Sequence, residues 1–381
     1  MVLLPIMAAV FMAFLVTGIA MPALPLHVHQ GLGLGTFVVG LVGGTQFGAA
    51  LVSRMWAGGH ADRRGTKRAV VAGLLAAAAA GALYLVSLRF VDAPVTSVAV
   101  LLLGRAVLGG AESFVITGAL GWGSALGGAQ NTGKVIAWVG TAMYAAFAIG
   151  APAGGLLYDA YGFRAIALAT MLVPLATLAI IVRLRPVPPQ AHARPPLTKV
   201  MGAVWVPGLG LAFSSLGFGA IATFIVLLFA ANGWEHAWLP FSAFAIAFIL
   251  ARVVFGHLPD RRGGARVALI SVLLEAAGLA LIWVAPRAAL ALLGAVLAGL
   301  GYSLVFPGFG VEAVRRAPPQ SRALAMGAFT ACLDLALGLG NPALGLIAGR
   351  AGVAAVFLAS ALTVLCAAGV AIRLLHAPSR G

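Results

Sequence analysis

Four ionisable residues fall inside long apolar stretches: Arg105, Glu112, Glu275 and Asp334. A charge in hydrocarbon is costly, so each marks a place where something is bound, relayed or paired. Arg105 and Glu112 are seven residues apart, close to two helical turns. On a helix they share a face, roughly 10 Å apart along the axis, with Gly109 between them. The proton affinity of a carboxylate depends on its burial and on neighbouring charge. A conformational change around Glu112 would therefore bind or release a proton, which makes Glu112 and Arg105 candidate proton-coupling residues. A static interhelical ion pair is the structural alternative. Asp334, Gly338, Asn341 and Gly345 fall at i, i+4, i+7 and i+11, again one helical face. That stripe lines a cavity and offers Asp334 as a second proton site, or it packs as an interface around a hydrogen-bonded Asp. Glu275 has no evident partner in the sequence, and a structural partner on a neighbouring helix is expected. No His/Cys cluster has metal-ligand spacing, no phosphate-cradling loop is present, and no catalytic triad emerges. The chain reads as neither an enzyme nor an ATP-driven pump, with no metal and no cofactor.

The elements that must position these residues are membrane helices. The chain is 62% hydrophobic and 9% charged, against roughly 25% charged in soluble proteins. Twelve apolar segments can be drawn, at 4–26, 34–57, 69–88, 97–120, 134–157, 163–184, 204–230, 238–257, 266–285, 288–311, 323–348 and 353–375. Most reach the roughly 20 residues that cross a bilayer as a helix, and they are continuous rather than alternating, which excludes a β-barrel. The first segment lacks a preceding basic region and exceeds signal-peptide length, so it reads as an uncleaved spanning helix. The net charge of +15 raises the question of nucleic acid. With the N-terminus inside, all 24 Lys and Arg except Arg89, Arg164, Arg287 and Arg350 (outside) and Arg105 (within a helix) fall at cytoplasmic loops or helix ends. The charge thus sets orientation and touches anionic headgroups. Nucleic acid is not a partner, and both termini are cytoplasmic. Cys332 and Cys366 lie in predicted helices, so no disulfide framework is implied. The proline-rich stretch 185–203 is an extended tether dividing an N-terminal six-helix bundle, 1–184, from a C-terminal one, 204–381.

Two internal repeats support that division. Residues 54–65 carry Arg54, Gly58, Asp62, Arg63, Arg64 and Gly65, and residues 252–263 carry Arg252, Gly256, Asp260, Arg261, Arg262 and Gly263, at a constant offset of 198. Gly150, Pro152 and Gly155 recur as Gly340, Pro342 and Gly345 at an offset of 190. The first repeat resembles the signature loop of the major facilitator superfamily, Gly-x-x-x-Asp-x-x-Gly-x-x-Arg/Lys. Gly58, Asp62, Gly65 and Arg68 fit it, as do Gly256, Asp260, Gly263 and Arg266. The resemblance covers nearly the whole chain, and Arg105 with Gly109 matches the family's Arg-x-x-x-Gly element of the fourth helix, which is linked there to proton transfer. The family's antiporter branch carries Gly-Pro-x-x-Gly-Gly in helix five; here Gly154 and Gly155 match but Ala151 precedes Pro152, a departure that weakens the inference of export.

The resemblance implies an all-α membrane protein of two pseudo-symmetric six-helix bundles around a central cavity. It implies that Gly58, Asp62, Arg63, Gly65, Arg68, Gly256, Asp260, Arg261 and Gly263 form conformational latches, with Asp62 and Asp260 the latch carboxylates. By the same resemblance helices one, four, seven and ten line the cavity, which nominates Phe14, Thr17, Ser113, Phe114, Ser214, Phe218, Tyr302 and Phe306; Gln46 and Asn341 are further buried polar candidates. Gly150, Pro152, Gly155, Gly340, Pro342 and Gly345 would let helices five and eleven bend. The expected protein is a monomeric secondary transporter of a bacterial inner membrane. It would move a small organic molecule by alternating access, with proton-coupled export as the first reading and proton-coupled uptake of a sugar or organic acid as the second. A membrane sensor or scaffold that does not transport is the alternative of another class.

Overall fold

The computed structural model describes residues 3–127, 132–188, 198–318 and 321–376. The middle of the expected tether, 189–197, lies outside the described residues. The described residues form thirteen α-helices and contain no strand. They are α1 (Leu4–Leu26), α2 (Thr36–Arg64), α3 (Thr66–Ser87), α4 (Pro94–Gly127), α5 (Thr132–Tyr161), α6 (Phe163–Ile181), α7 (Thr198–Ala231), α8 (Leu239–Phe255), α9 (Leu258–Arg262), α10 (Gly264–Trp283), α11 (Ala288–Arg316), α12 (Arg322–Ala351) and α13 (Val353–His376). Eleven spans among the described residues are long and apolar enough to cross a membrane, while α8 falls short at 17 residues. The chain separates into two compact units, Met1–His192 and Ala193–Gly381.

Each unit is built the same way. In the first, α1 packs on α4, α5 and α6, α3 on α4 and α6, and α2 on α4. In the second, α7 packs on α11, α12 and α13, α10 on α11 and α13, and α8 on α11. Lipid tails are as apolar as the helices, so association rests on close packing of small residues rather than on exclusion of water. The first unit's core follows that rule: Val16, Ala77, Ala80, Leu108 and Ala111 bring α1, α3 and α4 together, four of them at most 1% exposed and Ala77 2%.

The charged repeat departs from its expected form. The sequence places helix ends near residues 57 and 257, with a loop beyond each. In the structure α2 runs unbroken through the pattern to Arg64. Nothing in 58–64 interrupts a helix, and Arg63 and Arg64 sit at the C-terminal end, where the dipole favours cations. Arg63 Nε also donates to Gly59 O at 3.2 Å. The turn is Gly65 alone, at φ 93°, a backbone state that glycine adopts without steric cost. The second copy is broken. Pro259 stands where the first copy has Ala61, and a proline removes a backbone donor and clashes with the carbonyl four residues back. That carbonyl belongs to Phe255, where α8 ends. A turn through Gly256 and His257 leads into the one-turn helix α9, and Gly263 closes it at φ 90°.

Candidate functional site

Three α4 residues at four-residue spacing meet three α2 carbonyls at the same spacing. Arg105 Nε donates to Val42 O at 3.2 Å. At Gly109 the backbones approach so closely that a Cβ would stand 2.0 Å from Gln46 O. Ser113 Oγ donates to Ala50 O at 2.8 Å. This face of α4 is a helix-packing seam, and Arg105 anchors one end of it, also reaching the buried Tyr84 hydroxyl on α3 at 3.5 Å. Ser113, nominated for a cavity, gives its hydroxyl to that seam.

Glu112 faces elsewhere. One residue back from Ser113 it is rotated by about 100°, toward α1, where Thr17 Oγ1 donates to its Oε1 at 2.7 Å. Both are buried, at 7% and 1% exposure. The structure thus joins two residues that the sequence singled out separately, Thr17 and Glu112, while Arg105 reaches α2 and α3. The Thr17 hydroxyl thus ties this carboxylate to α1 across a helix crossing.

The seam recurs in the second unit without its charge. A Cβ on Gly299 would stand 2.3 Å from Phe244 O, and Ser303 Oγ donates to Phe248 O at 2.8 Å. Gly109 and Ser113 map onto Gly299 and Ser303 at an offset of 190, and Gln46 and Ala50 map onto Phe244 and Phe248 at 198, the offsets of the two sequence repeats. By the same offset Arg105 corresponds to Ala295 and Glu112 to Tyr302. Tyr302 stacks on Phe218 of α7 at 5.5 Å between centroids, 7° between planes. Phe306 meets Phe329 at 5.3 Å, and Phe14 meets Phe147 edge-on at 5.8 Å.

The second unit keeps a buried carboxylate on a different helix. Glu275 on α10 is 1% exposed and accepts a hydrogen bond from Ser214 Oγ of α7. Gly217 makes room for it, since a Cβ there would lie within contact distance of the Glu275 carboxyl. Ser214 is therefore the structural partner that sequence reasoning missed, having assigned it to a cavity. Asp334 and Asn341 are both buried on α12, and Asn341 lies against Gly219 of α7. Gln46 is likewise buried, at 1% exposure. Gly150, expected to let its helix bend, lies at the α1–α5 crossing, where a Cβ on it would stand 2.9 Å from Gly18 of α1. Gly340 lies against Leu216 in the second unit. Helices α5 and α12 run continuously through Pro152 and Pro342.

Around the charged repeats the two units use different anchors. Asp62 is half-buried and Asp260 exposed. Lys67, at the start of α3, donates to Val182 O at 2.7 Å and Leu184 O at 2.5 Å, satisfying carbonyls at the end of α6. The corresponding Ala265 instead gives its backbone N–H to Glu312 Oε1 at 3.2 Å, and Glu312 also pairs with Arg316. A carboxylate at the N-terminus of α10 suits the helix dipole. Sequence reasoning did not single out Lys67 or Glu312. The available signal was position: Lys67 follows the Gly65 turn into α3, and Glu312 lies one turn before the end of α11.

Membrane-length helices in two like-built units mark a multi-pass membrane protein. The family model described as Major Facilitator Superfamily matches residues 6–241 and 208–381, and the chain belongs to that superfamily. It is 42% identical over 371 residues to an uncharacterized MFS-type transporter of Salmonella typhimurium (strain LT2), covering 97% of this chain and 96% of that one. An uncharacterized MFS-type transporter of Burkholderia mallei (strain SAVP1) is 43% identical over 367 residues, 95% of this chain and 88% of its own. Among solved structures, the D-xylose-proton symporter superposes with a TM-score of 0.79 at 13% identity, covering 100% of this chain and 99% of that chain. The nucleoside transporter NupG gives a TM-score of 0.74 at 17% identity, covering 99% and 100%. At these identities the two structures share the fold.

Proposed function

We propose that this transporter exports a small organic molecule in exchange for protons, by alternating access between the bodies 1–184 and 204–381, with Glu112 as the carboxylate that gains and loses the proton. The observation that supports this most is the Thr17–Glu112 hydrogen bond across the α1–α4 crossing. A change in that crossing alters the hydrogen bond from α1 to this carboxylate, so proton occupancy follows the conformation. Arg105, fixed to Val42 O, supplies a buried positive charge on the same helix. Asp334 is a second proton site in this reading. Asp62 and the basic residues around it hold one access state, and Asp260 contributes less because it is exposed. The protein works as a monomer in a bacterial inner membrane, with both termini and the 185–203 tether on the cytoplasmic side.

The test uses energised inside-out membrane vesicles carrying a pH-sensitive dye. Drugs, sugars, amino acids and organic acids are added to vesicles holding wild type or Glu112→Gln. The reading expects at least one compound to collapse the acid-inside gradient in wild type and none to do so in the variant. A variant that couples as wild type does would contradict the role of Glu112. Wild-type proton movement only when the substrate gradient is reversed would mean uptake.

A further inference from the structure

Within the first unit a cleft of about 400 Å³ opens beside the last turns of α2, lined by Trp56, His60, Arg63, Arg64 and Phe114. The four α2 residues fall at i, i+4, i+7 and i+8, one face of the helix. Phe114 comes from α4, about 200° round the axis from Glu112, so the cleft and the Thr17–Glu112 contact lie on different sides of α4. Three of the five lining residues are basic and none is acidic. Asp62 is about 200° round α2 from His60. Arg63 and Arg64 are exposed, and Trp56 is 67% exposed. The His60 ring meets Phe114 edge-on, 5.5 Å between centroids.

This combination selects a ligand chemistry. Two guanidinium groups one residue apart bind a planar or tetrahedral anion through paired N–H donors. Trp56 and Phe114 offer flat apolar faces, which favour an aromatic body over a flexible chain. A bare inorganic anion would leave both rings against water, and an uncharged arene would leave the guanidiniums unmet. The volume is within the range of small-molecule sites. We propose that this cleft is a binding site for an aromatic organic anion, separate from the carboxylate of Glu112. The assignment does not depend on proton coupling and survives if Glu112 proves not to couple.

The test is direct binding to the full chain in phosphatidylcholine nanodiscs, with 1-naphthoate as probe and 1-naphthylmethanol as its uncharged counterpart. Naphthoate is expected to bind saturably and the alcohol not. The double variant Arg63→Gln/Arg64→Gln should weaken naphthoate by about tenfold or more, a loss of about 1.4 kcal/mol, and Phe114→Leu by a few-fold. Because Arg63 and Arg64 are exposed, the double variant should fold, and its melting temperature is measured alongside. An anionic phospholipid carries a similar charge on an apolar body, so binding is repeated with roughly a third of the lipid as phosphatidylglycerol. Unchanged naphthoate binding there supports the soluble anion. Equal binding of acid and alcohol, undiminished binding by the folded double variant, or displacement by phosphatidylglycerol would each overturn the proposal.

Discussion

The two units cross their second and fourth helices with the same device and then use the space beside it differently. Gly109 and Ser113 on α4 correspond to Gly299 and Ser303 on α11, and each pair meets two carbonyls four residues apart on its neighbour. Beside the first seam stand Arg105, bound to Val42 O, and Glu112, bound to Thr17. Beside the second stand Ala295 and Tyr302, the latter stacked on Phe218. The seam is thus common scaffolding, and the charge is an addition to one copy. Such a division gives the first unit a buried carboxylate while the second presents a stack of rings at the matching place. Of the carboxylates that the second unit buries, Glu275 lies at the α7–α10 contact, with Ser214 as partner.

Substitutions can break that comparison, from large effects to small. Glu112→Gln should abolish proton-coupled transport with the protein folded, whereas Tyr302→Phe, which keeps the ring stack, should leave coupling intact; vesicle proton flux reads both. Moving the proline across the repeat should move the helix break with it. Ala61→Pro should interrupt α2 near Ala57 at a cost of about 3 kcal/mol, seen as lost protection from hydrogen exchange over 57–61. Pro259→Ala should join α8 and α9 and gain protection over 256–260. Gly109→Ala and Gly299→Ala should each destabilise their unit by about 1–3 kcal/mol through overpacking, measured as a fall in melting temperature; a difference between them greater than about twofold would mean that the seams are not equivalent. Ser113→Ala and Ser303→Ala should each cost roughly 0.6 kcal/mol, the average for a hydrogen bond between membrane helices, by the same measurement.

Much of this organisation is readable along the chain because it is periodic or repeated. The offsets of 198 and 190 found in the charged and Gly/Pro repeats are the ones that relate the two seams. The buried charges Arg105, Glu112, Glu275 and Asp334 stand out because they interrupt apolar runs, and all four are buried. What the sequence hides is direction. Glu112 and Ser113 are neighbours in sequence, yet one turns to α1 and the other to α2, a consequence of about 100° per residue. The partner of Glu275 is 61 residues away on a helix that periodicity alone cannot place beside it. The helix break at Phe255 was legible in principle, since Pro259 is a backbone rule written in one residue. It was masked by the expectation of a loop in both copies.

The central claim is that proton coupling belongs to Glu112 at the α1–α4 crossing and not to Glu275, the carboxylate buried at the α7–α10 contact of the second unit. It is tested by measuring substrate-induced proton movement in vesicles for Glu112→Gln beside Glu275→Gln, at matched amounts of folded protein. The account predicts no proton movement for Glu112→Gln and near wild-type movement for Glu275→Gln. Proton movement retained by the first and lost by the second would contradict it.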